Sequence, residues 1–415
     1  MKVIIIGGGL GGPVLALALQ QHNISSKIFE LRDEHASDGG SIALAPNALR
    51  ALDRVGVYGR ISKQGYNFEE FHLLSSRNLS HIGTFLNGSQ QKYGYKALRI
   101  FRGIVRHTLL ELLRERGIEL RYNSKLVDVQ ETERSTVIAT FADGHTEEAD
   151  FLVGANGIHS RVRTHLDPQA VPTFSGQMGI GGEITRSKLP ISGKDMYMPC
   201  LILGRGNSFL FLPCSPDGEV VSCSASVEAQ DRSREEWARL GNDKQRLYEE
   251  LQVLHEKEDW PEVVHVASRD VDKKSLSLWP FYKLPDLDSW TSPSGRVIII
   301  GDAAHAMPPT GGQGAAMAFE DGVTLGDALT LINSNGVATA PETLRRWQTA
   351  RRERIKKVLE FTTTGGEIRK ASSSTYVQIV KEWLMWAYLS WFDNDLGTTY
   401  IYGYDTKTAM ASAGA

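Results

Sequence analysis

Lys2-Val3-Ile4-Ile5-Ile6-Gly7-Gly8-Gly9-Leu10-Gly11-Gly12-Pro13 opens the chain after Met1 and decides the fold. Lys2 to Ile6 is a short β-branched run of the kind that forms a strand buried on both faces. Pro13 falls in a first helical turn, where its missing N–H costs nothing. Val14 to Gln21 then reads as a helix and Ser26 to Phe29 as the next strand. Strand, glycine turn, helix and strand make a βαβ unit, which should be parallel and right-handed. In that setting Gly7-x-Gly9-x-x-Gly12 lets backbone N–H groups approach a pyrophosphate at a positive helix end. Glu30 lies 18 residues after Gly12 and is placed to accept from a ribose hydroxyl. The competing reading is a tight glycine turn with a surface glutamate. Taken alone, the motif serves NAD and FAD equally.

Two further segments narrow the choice. Arg296 to Ile300 reads as another buried strand, followed by Gly301-Asp302-Ala303-Ala304-His305. Pro308-Pro309-Thr310-Gly311-Gly312-Gln313-Gly314 then leads into a helix, Gly314 to Leu331, which carries Glu320-Asp321. Asp302, at the C-terminal end of a strand, is well placed to bind a polyhydroxy chain. The glycine-rich turn aims a second helix N-terminus at a group that gains negative charge, as a reduced flavin does. The third segment, Asp150 to Gly154 and then Ala155-Asn156-Gly157, is again strand then turn.

Between these α/β elements the pattern changes. From about Phe71 to Leu98 and from about Phe174 to Trp290, short alternating stretches such as Ser208–Leu212 and Val220–Val227 predict an antiparallel sheet. Ile104 to Arg116 is apolar at helical spacing and Gly117 should end it. One nucleotide-binding domain is therefore interrupted by a sheet insertion. No second GxGxxG, internal repeat or low-complexity tract occurs, and the small residues Thr408 to Ala415 should fray.

At 415 residues the chain should hold two or three domains. It is long enough to fold without disulfides or metals. A net charge of −3 argues against nucleic-acid or anionic-membrane partners. Cys200, Cys214 and Cys223 lack CxxC spacing, so structural zinc, iron–sulfur ligation and a disulfide scaffold are not expected. Val3 to Leu19 carries no charge but is broken by glycines, so it is read as strand, turn and helix rather than a signal peptide or span. An intracellular, cytoplasmic protein without membrane contact is the expectation, with oligomeric state left open.

The three motifs, in this order, resemble the FAD-dependent aromatic-hydroxylase superfamily. These are the single-component flavoprotein monooxygenases, which include para-hydroxybenzoate and salicylate hydroxylases and tetracycline-inactivating monooxygenases. The resemblance implies an α/β fold with a discontinuous Rossmann-like FAD-binding domain (1–72, 98–173 and 291–365). It also implies an inserted, mostly antiparallel β-sheet substrate domain (73–97 and 174–290) and a C-terminal helical segment and tail (366–415). By the same resemblance Gly7, Gly9, Gly12 and Glu30 belong to the ADP-binding turn and ribose acid. Ala43, in Gly40-Ser-Ile-Ala-Leu-Ala-Pro46-Asn47-Ala48, lies in a segment passing near the flavin. Arg102 resembles an FAD-binding arginine between strand and helix, Asp302 the ribityl aspartate, and Gly314-Ala315 the backbone beside the isoalloxazine ring. The implied partners are non-covalent FAD, NADPH or NADH as transient co-substrate, O2 and a small-molecule substrate. The implied reaction runs through a flavin C4a-hydroperoxide to hydroxylate or epoxidise an electron-rich aromatic, indole or enol in secondary metabolism. Flavin-dependent reductases, oxidases or cyclases on the same fold, and a non-catalytic flavin-binding protein, are the alternatives.

The chain departs from the family at two places. Asn156 stands where the family usually has Asp, as it does in the tetracycline-inactivating enzymes. Gly181-Gly182 stands where many aromatic hydroxylases have Arg-Gly, so no arginine anchor for a substrate is evident, and no catalytic residue is assigned. Among smaller signals, His305 is expected to be structural rather than a proton donor. Arg186, Arg205, Glu183 and Tyr282 are expected to be solvated or structural rather than pocket residues. Cys214 and Cys223 should be buried and inert. The basic run Arg345, Arg346, Arg351, Arg352, Arg354, Lys356 and Lys357, interleaved with Glu342, Glu353 and Glu360, predicts a solvated helix face. Trp383, Trp386, Tyr388, Trp391 and Phe392 are expected first to pack on the core, second to close over the substrate cavity, and third to touch a lipid surface or partner.

Overall fold

A computed structural model describes residues 1–36, 39–191, 196–205, 207–256, 260–368, 374–391 and 398–407. Phe392 and the tail from Thr408 lie outside the described residues. The opening βαβ unit forms as the sequence predicts, with strands Lys2–Ile6 and Ser25–Phe29 parallel and helix Gly11–Gln20 between them. These strands sit in a five-stranded parallel sheet ordered Val297–Ile299, Phe151–Gly154, Lys2–Ile6, Ser25–Phe29, Glu119–Arg121. Val3, Ile4 and Ile5 have no exposed surface, as a strand covered on both faces requires. The long helix Gly314–Asn335 packs directly on helix Gly11–Gln20. Gly326 allows this approach, since a Cβ there would stand 2.8 Å from the Ala18 Cβ. Helix Arg102–Glu115 ends where Gly117 adopts φ +67°, a conformation that favours glycine.

A seven-stranded sheet lies on the other side of the molecule. Its order is Asp272–Lys283, Thr173–Thr185, Val220–Glu228, Ser208–Pro213, Cys200–Leu203, Glu70–Ser75, His81–Leu86. Neighbours are antiparallel except Cys200–Leu203 with Glu70–Ser75, which run parallel. A small sheet, Ser41–Leu44, Ala97–Phe101 and Tyr66–Phe68, stands between the two large ones, and a second three-stranded sheet spans 126–149.

The structure corrects three expectations. The stretch 234–269, read as sheet, forms helices Arg234–Asn242, Lys244–Glu256 and Glu262–Arg269. The first starts with a capping box in which Ser233 and Glu236 satisfy each other's backbone amides. The basic run lies on helix Ala340–Ile368, and its face is not uniformly solvated. Arg345, Arg346 and Arg352 are paired at the surface with Glu342 and Asp286, whereas Arg351 and Arg354 are each 1% exposed. The aromatic cluster on helix Thr375–Trp391 does not pack into the core: Trp383, Trp386 and Trp391 are exposed, and Tyr388 lines a cavity.

Candidate cofactor and substrate site

The glycine turn is explained by what surrounds it. Gly7 has φ +116°, and a Cβ there would meet the Ala155 carbonyl at 2.4 Å. A Cβ on Gly12 would meet the Gly7 carbonyl at 2.1 Å, so these two glycines close the turn against backbone. Gly9 differs, because a Cβ there would meet nothing within 4 Å. Gly9 is thus the position where backbone opens onto the cavity, as close approach to a pyrophosphate demands. Glu30 is 6% exposed and accepts from the Gly8 N–H at 2.6 Å and the Arg32 N–H at 2.9 Å. Its carboxylate has further lone pairs for a ribose hydroxyl.

Across the sheet, the Gly301-Asp302 turn is held from behind. The Gly301 N–H donates to Asp321 Oδ2 at 2.9 Å, with Gly301 at φ +60°. Asp321 also meets His305 Nε2 at 2.6 Å and Arg351 Nε at 2.8 Å. Glu320 receives Arg351 at 2.7 Å, Arg354 at 3.1 Å and the Asn47 amide at 2.8 Å. Burial alone would raise the Asp321 carboxyl, but His305 and Arg351 more than offset it and hold it down to about 2. Glu320 is likewise lowered: burial opposes its ionisation, and Arg354 and Arg351 outweigh it. His305 is therefore a member of a buried structural network, as expected. Asp302 itself faces the start of helix Gly314–Asn335: a Cβ on Gly314 would stand 3.9 Å from Asp302 Oδ1.

These elements surround one cavity of about 2300 Å³. Gly7, Gly9, Glu30, Ala43, Arg102, Asp302, Gly314 and Ala315 all line it. Gly12 does not, being turned to the Gly7 carbonyl instead. Arg102 starts its helix with its backbone N–H on the Gly40 carbonyl at 3.1 Å. Asn156 also lines the cavity, its Oδ1 accepting from Ser160 Oγ at 2.5 Å. The volume is more than twice the roughly 1,000 Å³ at the top of the usual range for small-molecule pockets, so there is room for two ligands.

The far wall is the seven-stranded sheet, and its character changes across its width. Near the strand Asp272–Lys283 the lining positions mix small and polar residues, Ser275, Ser277, Gly181, Ser222 and Ser224 with Glu183, with the large side chains Leu278, Trp279 and Phe281. Across the next four strands they are Leu210, Leu212, Leu201, Leu73, Phe71 and Phe85. An arginine is absent from position 181 for a steric reason as well, since a Cβ there would meet the Cys223 carbonyl at 2.2 Å. Glu183, expected to be solvated or structural, lines the cavity, and its carboxyl is pushed up by burial and by Asp272. His159, also in the wall, is pushed down by burial and by Arg234 and Arg163. Arg186 and Arg205 are not among the lining residues, and Tyr282 is tied to Asp231 at 2.9 Å and to the Trp237 indole N–H at 3.1 Å. Cys200, Cys214 and Cys223 are buried and reduced, with burial pushing the Cys223 thiol up to about 12.

Sequence reasoning missed Arg99. It lines the cavity directly opposite Ala43 in the small sheet and donates to Ser41 Oγ at 2.7 Å, while its Nε is buried without a partner. Its position on the strand that leads into Arg102, three residues before it, was the available signal. Among the described residues no cluster of His, Cys, Asp and Glu could hold a metal, and no helix is long and apolar enough to cross a membrane.

A glycine cradle open at Gly9, an acid at each strand end and two helix starts aimed at one cavity fit a flavin dinucleotide. Residues 1–362 match the family described as an FAD binding domain, and the chain belongs to that family, the FAD-dependent aromatic hydroxylases. Its members are oxidoreductases, and FAD is the cofactor. Among curated relatives, 6-hydroxynicotinate 3-monooxygenase of Pseudomonas fluorescens is 25% identical over 371 residues, covering 86% of this chain and 89% of that protein. A 3-amino-4-hydroxybenzoate 2-monooxygenase of Streptomyces platensis is 28% identical over 359 residues, covering 86% of this chain and 85% of its own length. A salicylate hydroxylase in complex with substrate superposes with a TM-score of 0.80 at 23% identity, covering 100% of this chain and 98% of that one. The latter shows the shared fold.

Proposed function

We propose that this chain is an NAD(P)H- and O2-dependent FAD monooxygenase that hydroxylates or epoxidises an electron-rich aromatic, indole or enol. The observation that carries this reading is the continuity of one cavity from the glycine turn to the apolar sheet face. In this reading segments 1–72, 98–173 and 291–365 serve the cofactor and 73–97 and 174–290 the substrate, with strand Glu70–Ser75 carrying Phe71 across the first boundary into the substrate wall. When bound and reduced, the flavin supplies the two electrons that activate O2 and make one oxygen atom electrophilic. Everything else is the work of the protein. Glu30 would accept from the ribose, Asp302 from the ribityl chain, and Arg102 would approach the phosphates or ring from its helix start. The amides at Gly314 and Ala315 open a 22-residue helix whose positive end would stabilise negative charge on the ring. The leucine and phenylalanine wall orients the substrate and excludes water. Glu183 and His159, both titratable and both in the wall, are among the groups available to hold or move a proton. The nicotinamide coenzyme would bind transiently, since only one dinucleotide turn exists.

The test is steady-state consumption of NADPH and O2 by the FAD-loaded protein, with 18O2 followed into product. Substrate-stimulated consumption with one labelled oxygen in the product is expected. Consumption without label would assign an oxidase or reductase on this fold, and no consumption with any electron-rich aromatic would remove the oxygenase reading.

A further inference from the structure

The cavity extends beyond what a dinucleotide and a single small ring would occupy. We propose that its outer part is a chamber for a bulky hydrocarbon substituent, so that the substrate class is an aromatic carrying an alkyl, prenyl or polycyclic portion. This rests on the monooxygenase reading above and specifies what that site takes.

The floor is the apolar half of the seven-stranded sheet, where Phe71 and Phe85 stack at 5.1 Å beside Leu201 and Leu210. No charged residue of those four strands lines the cavity. The ceiling is helix Thr375–Trp391, with Met385 and Leu389 packed against the same apolar cluster. That helix is anchored rather than loosely laid. Glu382, 5% exposed, receives Ser75 Oγ at 3.1 Å, Arg77 at 2.8 Å and the Gln378 amide at 2.9 Å. Leu389 rests on Gly83, where any Cβ would come within 2.3 Å of it. A fixed apolar floor and a fixed apolar ceiling make a built chamber, whose walls gain nothing from water and gain most from hydrocarbon.

The chamber also has an apolar mouth. Val377, Val380 and Leu384 line the cavity and are at the same time 47%, 57% and 57% exposed. A substituent too long for the interior can leave between them without meeting a charge other than Lys381 at the rim. Elsewhere in the lining stand Arg99 and the hydroxyls of Ser222, Ser224, Ser275 and Ser277, interspersed with Leu278, Trp279 and Phe281, and these polar groups suit the oxygen-bearing ring of the same molecule. An amphiphilic aromatic lying across the sheet satisfies both halves, whereas a bare aromatic acid would leave the leucine half empty.

The experiment is isothermal titration calorimetry of the FAD-loaded protein with phenol, 4-hydroxybenzoate and a series of 4-n-alkylphenols from ethyl to octyl. The expected result is a Kd that falls with each added methylene, by up to roughly fourfold per carbon. In Leu384→Glu, where the changed side chain is largely solvent-exposed, the dependence on chain length should flatten while FAD content stays at the wild-type level. Equal affinity across the series, or 4-hydroxybenzoate binding as tightly as octylphenol, would overturn the chamber. An undiminished slope in Leu384→Glu would overturn its placement under this helix. Binding is read without turnover, so a steep slope in a protein that never consumes O2 would remove the oxygenase reading and leave the chamber standing.

Discussion

The two ends of the cavity are built from different materials. The end proposed to hold the cofactor is made of backbone and buried charge: the Gly7–Gly12 turn, Glu30 on two amides, and the Gly301-Asp302 turn fixed by Asp321. The end proposed to hold the substrate is made of side chains, serines among Leu278, Trp279 and Phe281 on one part of a sheet and leucines and phenylalanines on the rest, beside a C-terminal helix. Backbone geometry tolerates little variation, and so one cofactor can be held by a fixed recipe. A side-chain surface can be repainted strand by strand without moving the frame, which is how one fold serves many substrates.

The difference predicts where substitutions do damage. The largest effect is expected at the network behind the cofactor turn. Glu320→Leu would leave Arg351 and Arg354 short of their buried partner. It should cost about 3–5 kcal/mol of stability in denaturant titration. Next comes acid. Asp321 sits at about 2 in the fold against an ordinary 3.8, so its contribution is fully present above about pH 4 and is lost as pH falls toward 2. The loss should appear as a urea midpoint that falls as pH drops below about 4, and be absent in Asp321→Asn.

Smaller effects should separate cofactor binding from folding. Asp302→Ala removes a charged acceptor at the cavity and should weaken FAD retention about tenfold or more, with an unchanged circular dichroism spectrum. Undiminished flavin content would sink the ribityl assignment. Gly9→Ala and Gly12→Ala sharpen the comparison within one motif. At Gly9 a methyl meets open space and should lower FAD affinity with a melting temperature near wild type; at Gly12 it meets the Gly7 carbonyl and should lower the melting temperature itself. Equal thermal shifts in the two variants would contradict the division of roles.

The same contrast explains what the sequence made legible. That Gly7, Gly9, Glu30, Asp302 and Gly314 converge on one cavity was legible because each sits at a junction of strand and helix, and such junctions are encoded locally. Arg351 and Arg354 could not, because their partners lie some 30 residues away on another helix. The neighbouring Glu342, Glu353 and Glu360 made the run look like an ordinary solvated face. The overlooked signal was the adjacent pair Glu320-Asp321 among the apolar residues Ala315–Phe319, Val323 and Leu325 of one helix, two carboxylates that need cations once buried. The three helices of 234–269 were hidden by the strands on either side, although Ser233-x-x-Glu236 spells a capping box. The aromatic helix Thr375–Trp391 was ranked first as core and only second as a cover for the substrate cavity, because aromatic residues predict burial only when a surface is left to cover them.

The most direct test is the visible spectrum of the purified, FAD-loaded protein, taken as isolated, after anaerobic NADPH, and after air is readmitted. An oxidised-flavin spectrum that bleaches with NADPH and returns as O2 is consumed, faster when an electron-rich aromatic is present, is the predicted result. A colourless protein that cannot be loaded with FAD would contradict the account at its root.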